Sequence, residues 1–250
     1  MCIRDSFYGA FFFDSVNINF RGAQFSDSAK FDGVEFGGFV GFYNVHFDGT
    51  VDFQSTTFTH KDGAAFDKSA FWGEADFRNI QVSYKATFES VVFKKETDFS
   101  NAELKNVFFN SDTFESTAKF NEARMTHVSF NSAAFSGTVF FDDVNFSLYA
   151  GFRSIGMTNK TNISFKNAHL PDTLDFSDNR NIPITIDLSI ANFDSRTDER
   201  KVNIFLYRSE ISKFHFDYQH FKLLLIDPTT KDTLCPDECY ALYEQVLKKI

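Results

Sequence analysis

The stretch ATFESVVFKKETDFSNAEL, Ala86 to Leu104, decides the fold. Phe88, Phe93, Phe99 and Leu104 stand five, six and five residues apart, and two places before them sit Ala86, Val91, Thr97 and Ala102. A helix would repeat every 3.6 residues and a plain strand every two. Neither fits. Inward residues at i−2 and i, renewed every five or six, describe a short extended piece followed by a tight turn.

The same beat runs outward in both directions. Upstream it passes through Phe20, Phe25, Phe31, Phe36, Phe42, Phe47, Phe53 and Phe58, then Phe66, Phe71, Phe77 and Val82. Downstream it holds from Phe109 through Phe114, Phe120, Met125, Phe130, Phe135, Phe141, Phe146, Phe152, Met157, Phe165 and Leu170 to Phe176. This is where most of the 36 Phe residues in a 250-residue chain are spent. Four such pieces close a square coil of about 20–22 residues, and coils stack through β-type hydrogen bonds about 4.8 Å apart. Ser, Asp, Asn and Gly fill the turns (FSDS, FDGV, FGGF, FNSA), as tight turns require. A single coil cannot stand alone. Ordering its backbone costs about 1–2 kcal/mol per residue, whereas its four bulky residues return about 1.5–3 kcal/mol each. Phe rings fill the interior, so no cofactor is expected there.

Within this beat EADF, ETDF, NAEL and TVDF place a small residue, an acidic residue and a bulky centre in fixed order. The pattern resembles the pentapeptide-repeat family, in its Phe-centred form. The resemblance covers residues 7–193 and implies a right-handed quadrilateral parallel β-helix. The expected fold class is therefore all-β, a pentapeptide-repeat solenoid with a short C-terminal α-helix.

Outside the solenoid, residues 1–6 read as a non-native leader: MCIRDS resembles the spurious start of translated metagenomic fragments, and the repeat begins in phase at Phe7. Residues 194–226 read as an irregular last coil, with five-residue spacing in Leu206, Ile211, Phe216 and Phe221. Residues 227–250 read as a linker and the start of a truncated helix, with Pro236 in its first turn and Tyr243, Val246, Leu247 and Ile250 on one stripe. Many membrane-attached relatives continue from such a helix into spanning segments, so the resemblance implies a missing C-terminal membrane region. Uncapped coil ends are expected to self-associate. Three steps of eight residues, Phe12–Phe20, Phe58–Phe66 and Met157–Phe165, break the register, and the polar THKDGAA and TNKTNIS are expected to bulge there as surface loops.

The formal charge of −9 argues against direct nucleic-acid binding, which needs clustered Lys and Arg. Three cysteines do not make a disulfide framework, and no apolar run reaches the roughly 18 residues needed to span a bilayer. These readings place the protein in the cytoplasm, or at the cytoplasmic face of a membrane if it is tethered. No protease, hydrolase-elbow, phosphate-loop or dinucleotide motif is present. Carboxylates fall at i−1 and turn positions, facing solvent, without a cleft for paired acid–base chemistry. Cys235 and Cys239 lack nearby His for zinc, and His215 and His220 sit one repeat apart on adjacent faces. No catalytic, cofactor-binding or metal residue is assigned, and no cofactor. Two functional classes remain. The first is a non-enzymatic scaffold binding an unknown protein partner. The second is an acidic DNA mimic acting on a DNA topoisomerase, as in relatives that protect gyrase from quinolones. Between Phe20 and Phe176 stand 20 acidic and 14 basic residues. Lys94, Lys95, Lys105 and Lys119 interrupt the middle, a mixture that favours the scaffold.

Overall fold

Two kinds of corner produce the five–six beat. After Phe31, Phe53 and Phe77 the chain makes a four-residue turn in which the N–H of Val34, Thr56 and Ile80 donates back to the Phe carbonyl, at 3.1, 3.0 and 3.3 Å. The third turn residue has positive φ: Gly33 at 66°, Ser55 at 57°, Asn79 at 57°. That is the type II signature. The same left-handed position recurs after Phe42, Phe66 and Phe88, at Asn44, Lys68 and Ser90. These corners take five residues from centre to centre; the alternate corners are looser bends, of six residues in most coils, eight from Phe58 to Phe66 and five from Leu104 to Phe109.

The structure, a computed structural model, describes residues 5–12, 16–192, 201–216 and 219–233. It is a right-handed parallel β-solenoid of about nine turns. Most strands are two residues long, and each pairs in parallel with the strand one coil away. Face I stacks eight strands, from Asp5–Ser6 through Ala75–Asp76 to Asn162–Ser164. Face IV stacks seven, from Gln24–Phe25 to Gly156–Met157. Faces II and III lie between them and join into one 15-stranded sheet. The join is made by Arg124–Ser129 and Asn145–Gly151, six and seven residues long, which run straight through the corner that every earlier coil bends.

Inside, the centres form ring stacks. On face I successive rings from Phe31 to Phe53, Phe77 and Phe99 are 4.6, 5.0 and 4.6 Å apart, within 5° of parallel. The opposite ladder on face III, Phe42–Phe66–Phe88, is spaced at 4.8 and 4.6 Å. The two ladders meet edge to face, as in Phe53–Phe66 at 5.5 Å and Phe77–Phe88 at 5.7 Å, an arrangement the ring quadrupole favours. Face II departs from this, carrying Val82, Leu104 and Met125 between Phe58 and Phe146, all buried.

The acidic residue before many centres has a local task. Asp52, Asp76 and Asp98 accept, through Oδ1, the N–H two residues on, from Gln54, Arg78 and Ser100 at 2.9, 3.0 and 2.8 Å. This side-chain turn explains why a short carboxylate or amide precedes the bulky residue.

The long steps behave differently from one another. Around THKDGAA the ladder is undisturbed, since Phe66 still stacks on Phe42 and Phe88. Gly63 is required there: its φ is +73°, and a Cβ would lie 1.7 Å from the Lys85 carbonyl oxygen. In TNKTNIS, Thr161 is buried, and its Oγ1 donates to Phe135 O at 2.6 Å and accepts the Thr158 N–H at 3.0 Å. This second segment is anchored to the core rather than simply bulging. In the step Phe12–Phe20, residues 13–15 lie outside the described set.

Later coils loosen. Thr173–Asp175 pairs with Val202–Phe205, which pairs with Phe221–Leu224, while Ile186–Asp187 pairs with Phe214–His215. The described residues hold one helical turn, the 3-10 segment Ile211–Lys213, and no helix long and apolar enough to cross a membrane. The expected C-terminal helix, with Cys235 and Cys239, lies outside the described residues.

Candidate interaction surface

The side chains free to meet a partner are those the coil points outward. On face I the strand register places Lys30, Asp52, Asp76, Asp98 and Lys119 in one vertical column. Arg78 pairs with Asp76 at 2.5 Å, and Lys119 reaches Glu96 at 2.5 Å. Asp52 is pushed above the usual carboxylate range, first by burial and then by Asp32 and Asp76. The column is acidic at its middle and closed by a lysine at each end.

A different surface forms where faces II and III merge. Thr126, His127, Leu148 and Tyr149 occupy positions where other coils turn, and the extended backbone lays them flat. The His127 and Tyr149 rings stack at 4.8 Å, and Phe108 packs beside His127 at 6.1 Å. The Lys85 ammonium lies 5.8 Å from the Phe108 ring centroid. Asn106 Nδ2 donates to the Tyr84 carbonyl at 2.8 Å, fixing the bend that presents Tyr84. Tyr84 is 53% exposed and Leu148 55%, against nearly complete burial of the interior rings. Lys105 is exposed nearby in sequence and coil position. At the platform's edge the Tyr149 hydroxyl faces Asp175, and burial with that carboxylate pushes the phenol pKa up. Tyr149 therefore stays neutral at physiological pH.

Beside Arg124 and His169 an open polar furrow of about 600 Å³ is also lined by Asn101, Glu122, Asp143 and Asn145. Among the described residues no three His, Cys, Asp or Glu are arranged to hold a metal ion.

The family profile for pentapeptide repeats, in nine copies, matches residues 17–57. Its repeat is the coil seen there, and coils of the same kind follow as far as Ala118–Lys119, before the corner between faces II and III straightens. Over residues 17–57 the chain carries pentapeptide repeats. Among solved structures, this pentapeptide-repeat chain is similar to HetL of the cyanobacterium Nostoc sp. strain PCC 7120, a pentapeptide-repeat protein involved in heterocyst differentiation regulation. The identity is 14%, covering 81% of this chain and 87% of that one, with a TM-score of 0.31. It is also similar to full-length QnrB1, a plasmid-mediated fluoroquinolone resistance protein, at 13% identity over 97% of each chain and a TM-score of 0.25. No curated protein matches by sequence.

In this pentapeptide-repeat chain the histidines singled out from sequence lie apart in role. His215 sits on the strand paired with Ile186–Asp187, with Nδ1 3.1 Å from Asp187 Oδ1, while His220 gives its carbonyl to the Val202 N–H at 2.8 Å. Sequence reasoning missed the platform, whose signal was the lack of Gly, Asn or Asp in MTHVS. It also placed every carboxylate toward solvent. Asp112 and Asp175 are instead buried, and for Asp112 the signal was its place two before Phe114, an interior position.

Proposed function

We propose that this pentapeptide-repeat protein is a non-enzymatic scaffold that binds another protein through the platform where faces II and III merge. The observation carrying this is the cluster of Tyr84, Phe108, His127, Leu148 and Tyr149 on a rigid, flattened corner. Aromatic anchors with little rotamer entropy to lose are what protein interfaces concentrate at their energetic centres. Lys85 and Lys105 beside them favour a partner segment with acidic side chains. The cytoplasm, or the cytoplasmic face of a membrane through a C-terminal region, is the setting this reading supposes. Residues 7–193 would form the scaffold body, 194–226 its irregular last coil, and the coil ends a further site of self-association.

A second reading, an acidic DNA mimic acting on a topoisomerase, draws on the stacked Asp52, Asp76 and Asp98. It ranks lower because Lys30 and Lys119 close the column and Arg78 neutralises its centre.

The test compares three proteins as bait: the wild type, a platform variant carrying Tyr84→Ala and Leu148→Asp, and a face I variant carrying Asp76→Asn. A partner retained by the wild type and the face I variant but lost by the platform variant supports the scaffold. Undiminished capture by the platform variant overturns the assignment. Inhibition of gyrase supercoiling by the wild type, relieved when Asp52, Asp76 and Asp98 are changed to Asn, would favour the second reading.

A further inference from the structure

The interior position three residues after each face III centre is mostly apolar, but four coils place a buried polar residue there: Ser69 after Phe66, Asp112 after Phe109, Asn179 after Phe176 and Ser209 after Leu206. Each fills the same niche. Ser69 Oγ accepts the Val45 N–H at 2.9 Å and donates to the Phe42 carbonyl. Ser209 Oγ accepts the Asn179 N–H at 3.0 Å and donates to Phe176 O at 2.6 Å. Asn179 divides the same work between two atoms. Its Oδ1 accepts the Ile155 N–H at 2.9 Å, and its Nδ2 donates to Phe152 O at 2.8 Å and Phe176 O at 2.7 Å. The niche thus offers one backbone donor and one or two backbone carbonyls, and it asks its occupant for an acceptor and a donor.

Asp112 meets the first demand. Its Oδ1 accepts the Val91 N–H at 2.8 Å. Its Oδ2 is buried with no hydrogen-bond partner. Phe88 precedes Val91 by three residues, as Phe152 precedes Ile155. Phe109 precedes Asp112 by three, as Phe176 precedes Asn179. The place that Nδ2 fills in Asn179 is therefore held by Oδ2 in Asp112, and an ionised carboxylate has no proton to give.

We propose that Asp112 is a proton-binding site: in the folded protein it is a neutral carboxylic acid whose Oδ2–H donates to the Phe88 carbonyl, and loss of that proton loosens the surrounding coils. Burial pushes this carboxyl well above its ordinary value of 3.8, and the charged groups acting on it, Asp67 and Glu89, are both acidic and push the same way. The Val91 and Ser90 N–H groups oppose them without supplying a positive charge. The solenoid would thereby carry a pH-dependent weak point at its middle, independent of whether the platform binds a partner.

The sign follows from linkage. A folded-state value above the unfolded one means that stability is fully present below the unfolded pKa and is lost as pH rises through the folded one. Each pH unit within that window is a tenfold change in the folding equilibrium. Asp112→Asn supplies the amide donor that Asn179 already uses, so its advantage over the wild type should be least at pH 4 and at least tenfold larger in folding equilibrium at pH 8. Urea unfolding across that range measures it. In heavy water at pH 7, the infrared carbonyl band of a protonated carboxyl should be present in the wild type and reduced in Asp112→Asn. A variant-to-wild-type ratio that does not change with pH overturns the proposal. So does an unchanged infrared band, or an Asp112→Asn protein that fails to fold.

Discussion

Phe88→Ala is the sharpest test of the ladder architecture. The ring is 1% exposed. It stacks on Phe66 at 4.6 Å and Phe109 at 4.9 Å, and meets Phe77 and Phe99 edge to face at 5.7 Å each. The neighbours cannot close the space, because coil spacing is set by backbone bonds such as Phe88 N–H to Phe108 O at 2.8 Å. The loss should therefore lie in the upper part of the roughly 3–5 kcal/mol range for burying a Phe-sized cavity. Phe88→Leu should cost under about 1.5 kcal/mol, since face II already runs on Val82, Leu104 and Met125. Lys105→Ala, on the surface, should stay within about 0.5 kcal/mol. Coils couple mainly to their neighbours, so the damage should be local. Hydrogen exchange should quicken at the amides of Phe66, Phe77 and Phe88 before those of Phe31 and Phe141. Urea unfolding gives the total. A Phe88→Ala protein within about 1 kcal/mol of the wild type would refute a rigid ring stack, because only a collapsible or solvated site costs so little.

Other perturbations separate the remaining parts. Asp76→Ala should lose about 0.5–1.5 kcal/mol with the Arg78 N–H bond, while Asp76→Asn, which keeps the acceptor, should be near neutral; thermal melts distinguish them. Thr161→Val should cost about 1–3 kcal/mol by stranding the Phe135 carbonyl, whereas removing Lys61 and Asp62 with Gly63 kept should leave the urea midpoint nearly unchanged. Arg153 ties the segment after the last described sheet strand to the coils, its Nη2 lying 2.6 Å from Asp178 and 2.5 Å from Asp227. It holds the Asp227 carboxyl down to about 2, from 3.8. That contribution is complete above the ordinary value and is lost as pH falls toward 2. Arg153→Gln should flatten this acid limb in melts between pH 2 and 5, and an unchanged limb would show that the clamp carries no stability.

The interior was legible because one rule repeats. Every centre from Phe20 to Phe176 must be bulky and apolar, so a single misplaced residue could not hide the period. In the earlier coils the alternation of five and six encoded something real: five marks the type II corner with its left-handed Asn44, Ser55 or Asn79, and six marks the looser bend, whereas the five-residue step from Met125 to Phe130 contains no turn. What stayed hidden were departures from the rule. In MTHVS the beat from Met125 to Phe130 is kept, yet Thr126 and His127 supply no turn chemistry, and the corner straightens. Where it straightens, His127 stacks on Tyr149 one coil away, a contact between residues 22 apart that no local pattern records. In NSDTF two rules collide, because Asp112 looks like a turn residue by composition and is an interior one by position. Position prevails there because the interior offers it a donor and a carbonyl.

The same logic says where function lies in such a molecule. A repeated interior fixes the rod but distinguishes no coil from the next, so a partner reading only the repeat would find several equivalent sites and no register. Specific binding needs a place that occurs once. Lys30 and Lys119 bound the aspartate column but leave three similar rungs between them. The straightened corner supplies Tyr84, Phe108, His127, Leu148 and Tyr149 within a few adjacent coils, with Lys85 over one ring. A partner can find its register on that platform, and this is the physical reason for placing the interaction there rather than along the acidic face.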